Sequence, residues 1–470
     1  MSEKKIVANN VIYLTIAELI GRIFQFFFYK HITVALGAEA FGSFSWSITN
    51  ISYFFIILGA GLDIYGIREI SKDKSKLSYF SNLVLSLRLF LSIIAFIAIL
   101  IYSFYLPKSD EIKLLLVLAG FRLFGDAILP NWVYQAIEKM SFVALRNFLI
   151  NFLNLILAYL LIKSPEDVFY AVSLISFNIC LTAFLLLLHF NFKIQKINLF
   201  FNLKQFINVL KSSIPIGISI QIIIFYNSAD IVMLGFLREN FEYEVGIYSA
   251  AMRIILISTL PIQILQQAFF PKFSNDNFID SDSYYRKFSL ISAFIGIFLT
   301  FVVVNYSYDI IRIQFSDIYY ESSILLKILG LKLFFSYLTI TFSIPFLAKH
   351  KENFILFSVG SAFILNIILN YFAIPIFGIY GAAYSTIFCE FIILIVFVYL
   401  MSKTYSISYI KPIIYCVILF FSLQIIFVLT NQYLGLNIYL SFLFSIFTFF
   451  IMTILLKVLS INEIKAILRR

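Results

Sequence analysis

The stretch 230-DIVMLGFLRENFEYEVGIYSAAMR-253 holds the end of one apolar helix, a short acidic loop and, from Gly246, the start of a second apolar helix. The layout occurs once before. Leu36-Gly37, a few residues, then Gly42-Ser43-Phe44-Ser45 and a new apolar run correspond to Leu234-Gly235, the loop, then Gly246-Ile247-Tyr248-Ser249. A period of roughly two hundred residues in a strongly apolar chain points to two structural repeats with the working cavity between them. The predicted division is a six-helix N-lobe over 1–208, a six-helix C-lobe over 209–404 and two additional helices in 405–470.

Composition decides what kind of helices these are. Of 470 residues, 61% are hydrophobic and 13% charged, with a mean hydropathy of +0.96. Soluble domains carry about 25% charged residues. Long apolar runs recur from residue 11 to residue 458, with no polar stretch long enough for a separate soluble domain. The predicted fold class is therefore an all-α polytopic membrane protein. Fourteen crossings are predicted, with twelve the alternative count: 11–35, 43–64, 80–104, 112–135, 142–162, 167–190, 212–237, 246–270, 287–306, 322–347, 353–374, 378–401, 409–430 and 436–457. Ala38-Glu39-Ala40 mimics a signal-peptidase site, but it lies too far downstream and Glu18 and Arg22 interrupt the apolar run before it. The first segment is expected to be retained. Cys180, Cys389 and Cys416 lie in apolar runs without metal or redox spacing and read as core residues. His31, His189 and His350 are scattered, so no metal beyond a coupling ion and no organic cofactor are expected.

The net charge of +10 is a topology signal rather than a nucleic-acid signal. Alternate loops carry about 23 Lys and Arg against 6. The rich side includes Arg68, Lys72, Lys74, Lys76, Lys139, Arg146, Lys193, Lys196, Lys349, Lys351, Lys403, Lys411 and the terminal residues Lys457, Lys465, Arg469 and Arg470. With an even helix count both termini are expected to be cytoplasmic.

Six cations remain inside predicted spans: Arg22, Arg88, Arg122, Arg253, Lys327 and Lys332. The acids there are Glu18, Asp126, Asp230 and Glu390, with Asp63 at an inner helix end. An ionised group in hydrocarbon costs at least a few kcal/mol, so each must meet an opposite charge or a wet cavity. Glu18 and Arg22 stand four apart on one face. So do Arg122 and Asp126, which read as a structural ion pair. Lys327, near an outer helix end, suits snorkelling. Arg22, Arg253, Arg88 and Lys332 are the candidate substrate-binding cations. Surplus positive charge suits an anion, and a guanidinium grips phosphate through two parallel hydrogen bonds. Asp230, Asn366, Asn370 and Thr386 fall at one depth, in the outer half of the membrane. They form a candidate Na⁺ site of hard oxygen ligands, or else interhelical polar contacts. Glu390, near the midplane, is the candidate for H⁺ coupling instead.

Several stretches then group together: Leu36-Gly37-x-x-x-Phe41-Gly42; Asn131-Trp132-Val133-Tyr134-Gln135-Ala136-Ile137-Glu138-Lys139-Met140; Val245-Gly246-x-Tyr248-x-x-Ala251-x-Arg253-Ile254; and Asn366-x-x-x-Asn370 followed by Ile374-Pro375, Gly378, Gly381-Ala382-Ala383, Thr386 and Glu390. In this order and spacing they resemble the polysaccharide flippases of the MOP superfamily, relatives of the MATE exporters. Ala136 replaces the family's usual glycine. The resemblance implies a non-enzymatic flippase carrying an undecaprenyl-diphosphate-linked oligosaccharide, an O-antigen or capsule unit, from the cytoplasmic to the outer leaflet. Its pathway partners would be the polysaccharide polymerase and glycosyltransferases. In the related lipid II flippases, arginines on the first and eighth helices line the cavity assigned to the diphosphate. Arg22 and Arg253 occupy similar places. The sodium site of those relatives resembles Asp230, Asn366, Asn370 and Thr386, although some have an acid where Asn370 stands.

Two rivals carry other chemistry. A MATE-like exporter of cationic drugs needs a neutral or anionic cavity. A membrane polysaccharide polymerase or ligase needs a large outer loop, and the longest here, Tyr306 to Glu321, is of ordinary connection length. The charge asymmetry predicts cytoplasmic signals from reporter fusions at Lys196 and Lys403 and an outer signal at Glu242; an outer signal at Lys196 overturns the orientation.

Overall fold

A computed structural model of the chain describes residues 3–59, 61–274, 282–349, 351–404, 411–432 and 438–455. His350 and the basic residues Lys457, Lys465, Arg469 and Arg470 lie outside the described residues, as do the side chains of Lys411 and Cys416. Every regular element among the described residues is helical. Among the described residues ten helices are long and apolar enough to cross a membrane, and Val417–Thr430 and Leu440–Phe449 are shorter apolar helices. Large apolar side chains cover the outside: Phe104, Tyr105, Phe192 and Ile376 are each more than 70% exposed. That surface suits lipid as the solvent.

By its contacts the chain forms two compact units, one of 1–249 with 312–319, the other of 250–311 with 320–470. The first holds α1 (Glu3–Gly59), α2 (Leu62–Lys72), α3 (Leu77–Tyr105), α4 (Asp110–Gly120), α5 (Arg122–Ile128), α6 (Asn131–Ala136), α7 (Met140–Leu161), α8 (Val168–Lys193), α9 (Leu203–Leu237) and the start of α10 (Phe241–Ser258). The second holds the rest of α10, then α11 (Leu260–Phe273), α12 (Asp282–Asn305), part of α13 (Ser307–Phe315), α14 (Tyr320–Ala348), α15 (Glu352–Phe377), α16 (Ile379–Thr404), α17 (Lys411–Gln432) and α18 (Ile438–Leu455).

Three expected helices are divided differently: 246–270 is α10 and α11, parted at Thr259, and two others differ for a backbone reason. The expected helices 11–35 and 43–64 are one element, α1, bent at Gly37. That residue has φ 70°, a left-handed conformation that only glycine adopts at little cost. The expected helix 112–135 is three pieces, α4, α5 and α6. Pro130 lacks an N–H and biases Leu129 to an extended conformation (φ −71°, ψ 113°), which ends α5. The short α6 then seats Trp132 on Gly66 of α2, where a Cβ would lie 2.3 Å from the indole.

The linker after α8 is not a loose loop. Ser78, Asn82 and Ser86, four apart along one face of α3, hydrogen-bond in turn to the Gln195 side chain, the Asn198 N–H and the Phe200 N–H. The periodicity of α3 thus supplies the partners that the extended segment lacks in itself.

Within the first unit the two repeat segments pack on each other. A Cβ on Gly42 would lie 1.6 Å from the Glu242 carbonyl oxygen, and one on Gly246 would lie 2.0 Å from that of Ala38. One on Gly235 would lie 1.7 Å from Trp46 Nε1. The matched glycines therefore allow α1 and α10 to touch backbone to backbone. Gly42→Ala and Gly246→Ala place a methyl against main chain that cannot move aside cheaply. Each is expected to cost at least about 1–3 kcal/mol and to lower the thermal midpoint in detergent. Gly59→Ala, where the Cβ would meet nothing within 4 Å, is the control. Equal midpoints for all three variants would contradict the close crossing.

Candidate functional site

A polar cleft of about 320 Å³ lies inside the first unit. Helix α1 contributes Glu18, Gly21, Arg22 and Gln25; α5 contributes Arg122 and Asp126; α7 contributes Arg146, Asn147, Ile150, Asn151 and Asn154; α8 contributes Ile179. The break at Gly120 and Phe121 starts α5 so that Arg122 and Asp126 stand one turn apart.

The charges in the cleft are three arginines against two carboxylates. Arg22 Nη2 lies 3.1 Å from Glu18 Oε1, and its other terminal nitrogen reaches Gln25 at 3.4 Å. Arg122 Nε lies 3.0 Å from Asp126 Oδ2, and its guanidinium also lies over the Phe55 ring. Arg146 differs from both. Its one hydrogen bond is a long one, 3.4 Å from Nη1 to Asn147 Oδ1. Its Nε is buried without a partner, and no carboxylate among the described residues forms an ion pair with it. Loop counting puts Arg146 on the basic side, although the predicted crossing 142–162 contains it. Helix α7 begins at Met140, so Arg146 falls in its second turn and faces the cleft.

The other candidate cations lie elsewhere. Arg88 is buried on α3 and is absent from the cleft lining; it binds the Asp63 carboxylate and donates to the Asp126 carbonyl, tying α3 to α2 and α5. In the second unit, Lys332 Nζ lies 3.5 Å from Glu390 Oε1, with both side chains less than 10% exposed. Ser336, one turn from Lys332, donates to Glu390 Oε2 at 3.3 Å. Lys332 and Glu390 thus share one buried pair between α14 and α16, although the sequence assigns them to substrate and coupling ion separately. Arg253 is half-buried on α10 in the second unit, and Lys327 is exposed on α14.

The candidate ion ligands divide between the units. In the first, Asp230 is 3% exposed and accepts a hydrogen bond from the Tyr248 hydroxyl. In the second, Asn370 Nδ2 donates to Asn366 Oδ1 at 3.1 Å, and Asn366 Nδ2 donates to Thr386 Oγ1 at 3.5 Å. The three residues are buried together and link α15 to α16.

A larger pocket, about 780 Å³, lies in the first unit among residues of α1, α4, α8 and α10. Its charges are Glu39, Glu111, Glu166 and Glu242, the wrong sign for an anion. Nearby Lys108 sits 3.9 Å from the Phe241 ring centroid; burial lowers its pKa from the usual value, against the raising effect of Glu242. The smaller arginine-lined cleft is the better candidate on charge.

What the sequence reading missed is the polar face of α7. Asn147, Asn151 and Asn154 follow Arg146 at helical spacing, a signal available from periodicity but masked by the apolar residues between them.

Residues 7–275, more than half of the chain, match the polysaccharide biosynthesis protein family. The capsular polysaccharide biosynthesis protein CapF of Staphylococcus aureus is 22% identical over 411 residues, spanning 84% of this chain and 100% of that protein. A protein of Escherichia coli K12 named for O-antigen transport is 22% identical over 395 residues, spanning 81% of this chain and 93% of that protein. The solved lipid II flippase MurJ, in its inward closed conformation, shares the fold with a TM-score of 0.72 at 17% identity, covering 95% of this chain and 98% of that one. On the extent of the family match, the chain belongs to the polysaccharide biosynthesis protein family, with the fold of the MOP superfamily of membrane transporters.

Proposed function

We propose that the protein carries a polyprenyl-diphosphate-linked oligosaccharide, an undecaprenyl-linked capsule or O-antigen unit, from the cytoplasmic to the outer leaflet by alternating access. The observation that carries this reading is Arg146. A guanidinium in an apolar bundle with unused donors and no paired carboxylate is costly unless a ligand completes it. A diphosphate does so with charge-assisted hydrogen bonds. The names of the relatives, capsule biosynthesis, O-antigen transport and lipid II flipping, support the same substrate class. The surplus of arginine over carboxylate in the cleft disfavours export of cationic drugs. The 306–321 segment is largely the short helix α13 and a turn, which offers little room for a polymerase or ligase centre. The proposal includes fourteen crossings, two six-helix lobes, cytoplasmic termini in the inner membrane, and delivery to a polymerase after glycosyltransferases have built the unit.

The cavity charge is tested by surface polysaccharide in cells and by flipping in vesicles. Arg146→Ala removes a half-buried charge that has no ion-pair partner among the described residues, so folded yield is expected to match or exceed wild type while flipping falls about tenfold, the loss of one charged hydrogen bond. Arg146→Lys keeps the charge without the fork and recovers part of the rate. Arg22→Ala and Arg253→Ala also lose flipping. Wild-type flipping by the Arg146→Ala protein at native abundance rules the diphosphate role out.

Coupling by Na⁺ or H⁺ is the second part of the proposal. If Asp230 with Asn366, Asn370 and Thr386 binds Na⁺, flipping responds to a sodium gradient, Asp230→Asn removes the response and Asn370→Asp strengthens it. If the Lys332–Glu390 pair carries H⁺ instead, a pH gradient alone drives flipping and Glu390→Gln abolishes that dependence. Flipping by the wild type indifferent to both gradients removes both roles.

A further inference from the structure

The cleft contains more than arginines. Asn147, Asn151 and Asn154 stand at i, i+4 and i+7 on α7, and all three line it. Each carboxamide brings two donors and an acceptor oxygen with two lone pairs, and the protein uses only part of that capacity. Asn147 Oδ1 takes the long bond from Arg146. Asn151 Nδ2 donates to the Asn147 carbonyl at 2.7 Å, which leaves Asn151 Oδ1 without a protein partner among the described residues. Asn154 Oδ1 accepts from Asn178 Nδ2 at 2.7 Å, leaving the Asn154 amide donors to the cleft. Gly21 of α1 makes the room: a Cβ there would lie 2.9 Å from Asn151 Nδ2.

A phosphate accepts hydrogen bonds and, when ionised, donates none. It satisfies Arg146 and the amide donors but not the Asn151 oxygen. Groups that both donate and accept, such as sugar hydroxyls and acetamido groups, satisfy the whole face. By helical rise, Asn154 lies about 12 Å beyond Arg146 along α7. That distance gives a diphosphate at one end room for a sugar ring at the other.

We infer that the Asn147–Asn151–Asn154 face of α7 recognises the first sugar of the lipid-linked unit, next to a diphosphate held by Arg146. The inference rests on the headgroup reading proposed above and assigns to this face the discrimination between glycosylated and bare lipid. The test uses the full chain in nanodiscs and three probes: undecaprenyl diphosphate, and the same lipid carrying one N-acetylglucosamine or one galactose. Wild type is expected to bind at least one glycosylated lipid about tenfold more tightly than the bare diphosphate, the worth of one or two well-made hydrogen bonds. Asn151→Leu with Asn154→Leu collapses that ratio towards one, while binding of the bare diphosphate weakens but remains measurable through Arg146. Gly21→Ala, which displaces the Asn151 amide without altering any charge, lowers the ratio and guards against misfolding of the leucine variant. An unchanged ratio in Gly21→Ala and the leucine variant overturns the sugar assignment while the diphosphate reading stands. Equal binding of all three lipids by wild type does the same. Failure of wild type to bind any of them overturns the headgroup reading and this inference with it.

Discussion

An ionised side chain can remain in hydrocarbon only if something nearby takes the place of water, and this constraint organises the charged residues of the chain. Arg88 has Asp63 and a carbonyl, Arg122 has Asp126, Lys332 has Glu390, and Arg22 has Glu18. Each pair joins helix to helix, or successive turns of one helix, and holds the surrounding apolar packing in register. Once these cations are neutralised, Arg146 stands out in the first unit. Among the described residues its guanidinium reaches only a neighbouring amide, and its Nε has no partner. Its unused donors face the cleft, where an anion can complete them.

Backbone chemistry positions that group. Pro130 interrupts what would otherwise be one continuous helix, and the resulting short α5 carries Arg122 and Asp126 into the cleft wall. Gly21 leaves space for the Asn151 amide. Gly42, Gly235 and Gly246 let the two repeat segments approach to a distance that no side chain allows. These positions contribute through the absence of atoms, so propensity scales mark them as weak helix formers when their role is close contact.

Charge separates two of the cavities of the first unit. The acidic pocket is larger, but its four carboxylates repel a diphosphate. The cleft is smaller, mixed in charge with an arginine surplus, and edged by amides that suit a neutral polyhydroxyl group. Diphosphate and sugar are adjacent parts of one lipid-linked headgroup, and the adjacent arginine and asparagine positions on α7 match that order.

Much of the fold was legible in the amino-acid order, because lipid demands long apolar helices and hydropathy records them directly. The all-α membrane class, most spans and the matched glycines at 42 and 246 followed from composition and repeat spacing. So did the i, i+4 placement of Glu18 with Arg22 and Arg122 with Asp126, since helical periodicity is local. Tertiary structure decided the rest. The predicted crossing 142–162 already contained Arg146, but its place in the cleft and its lack of an ion-pair partner depended on which side chains other helices brought near. Lys332 and Glu390 are 58 residues apart and meet only because α14 packs on α16. Burial and pairing across helices are properties of packing, and a single sequence fixes spacing along a helix without stating which helix will lie beside it.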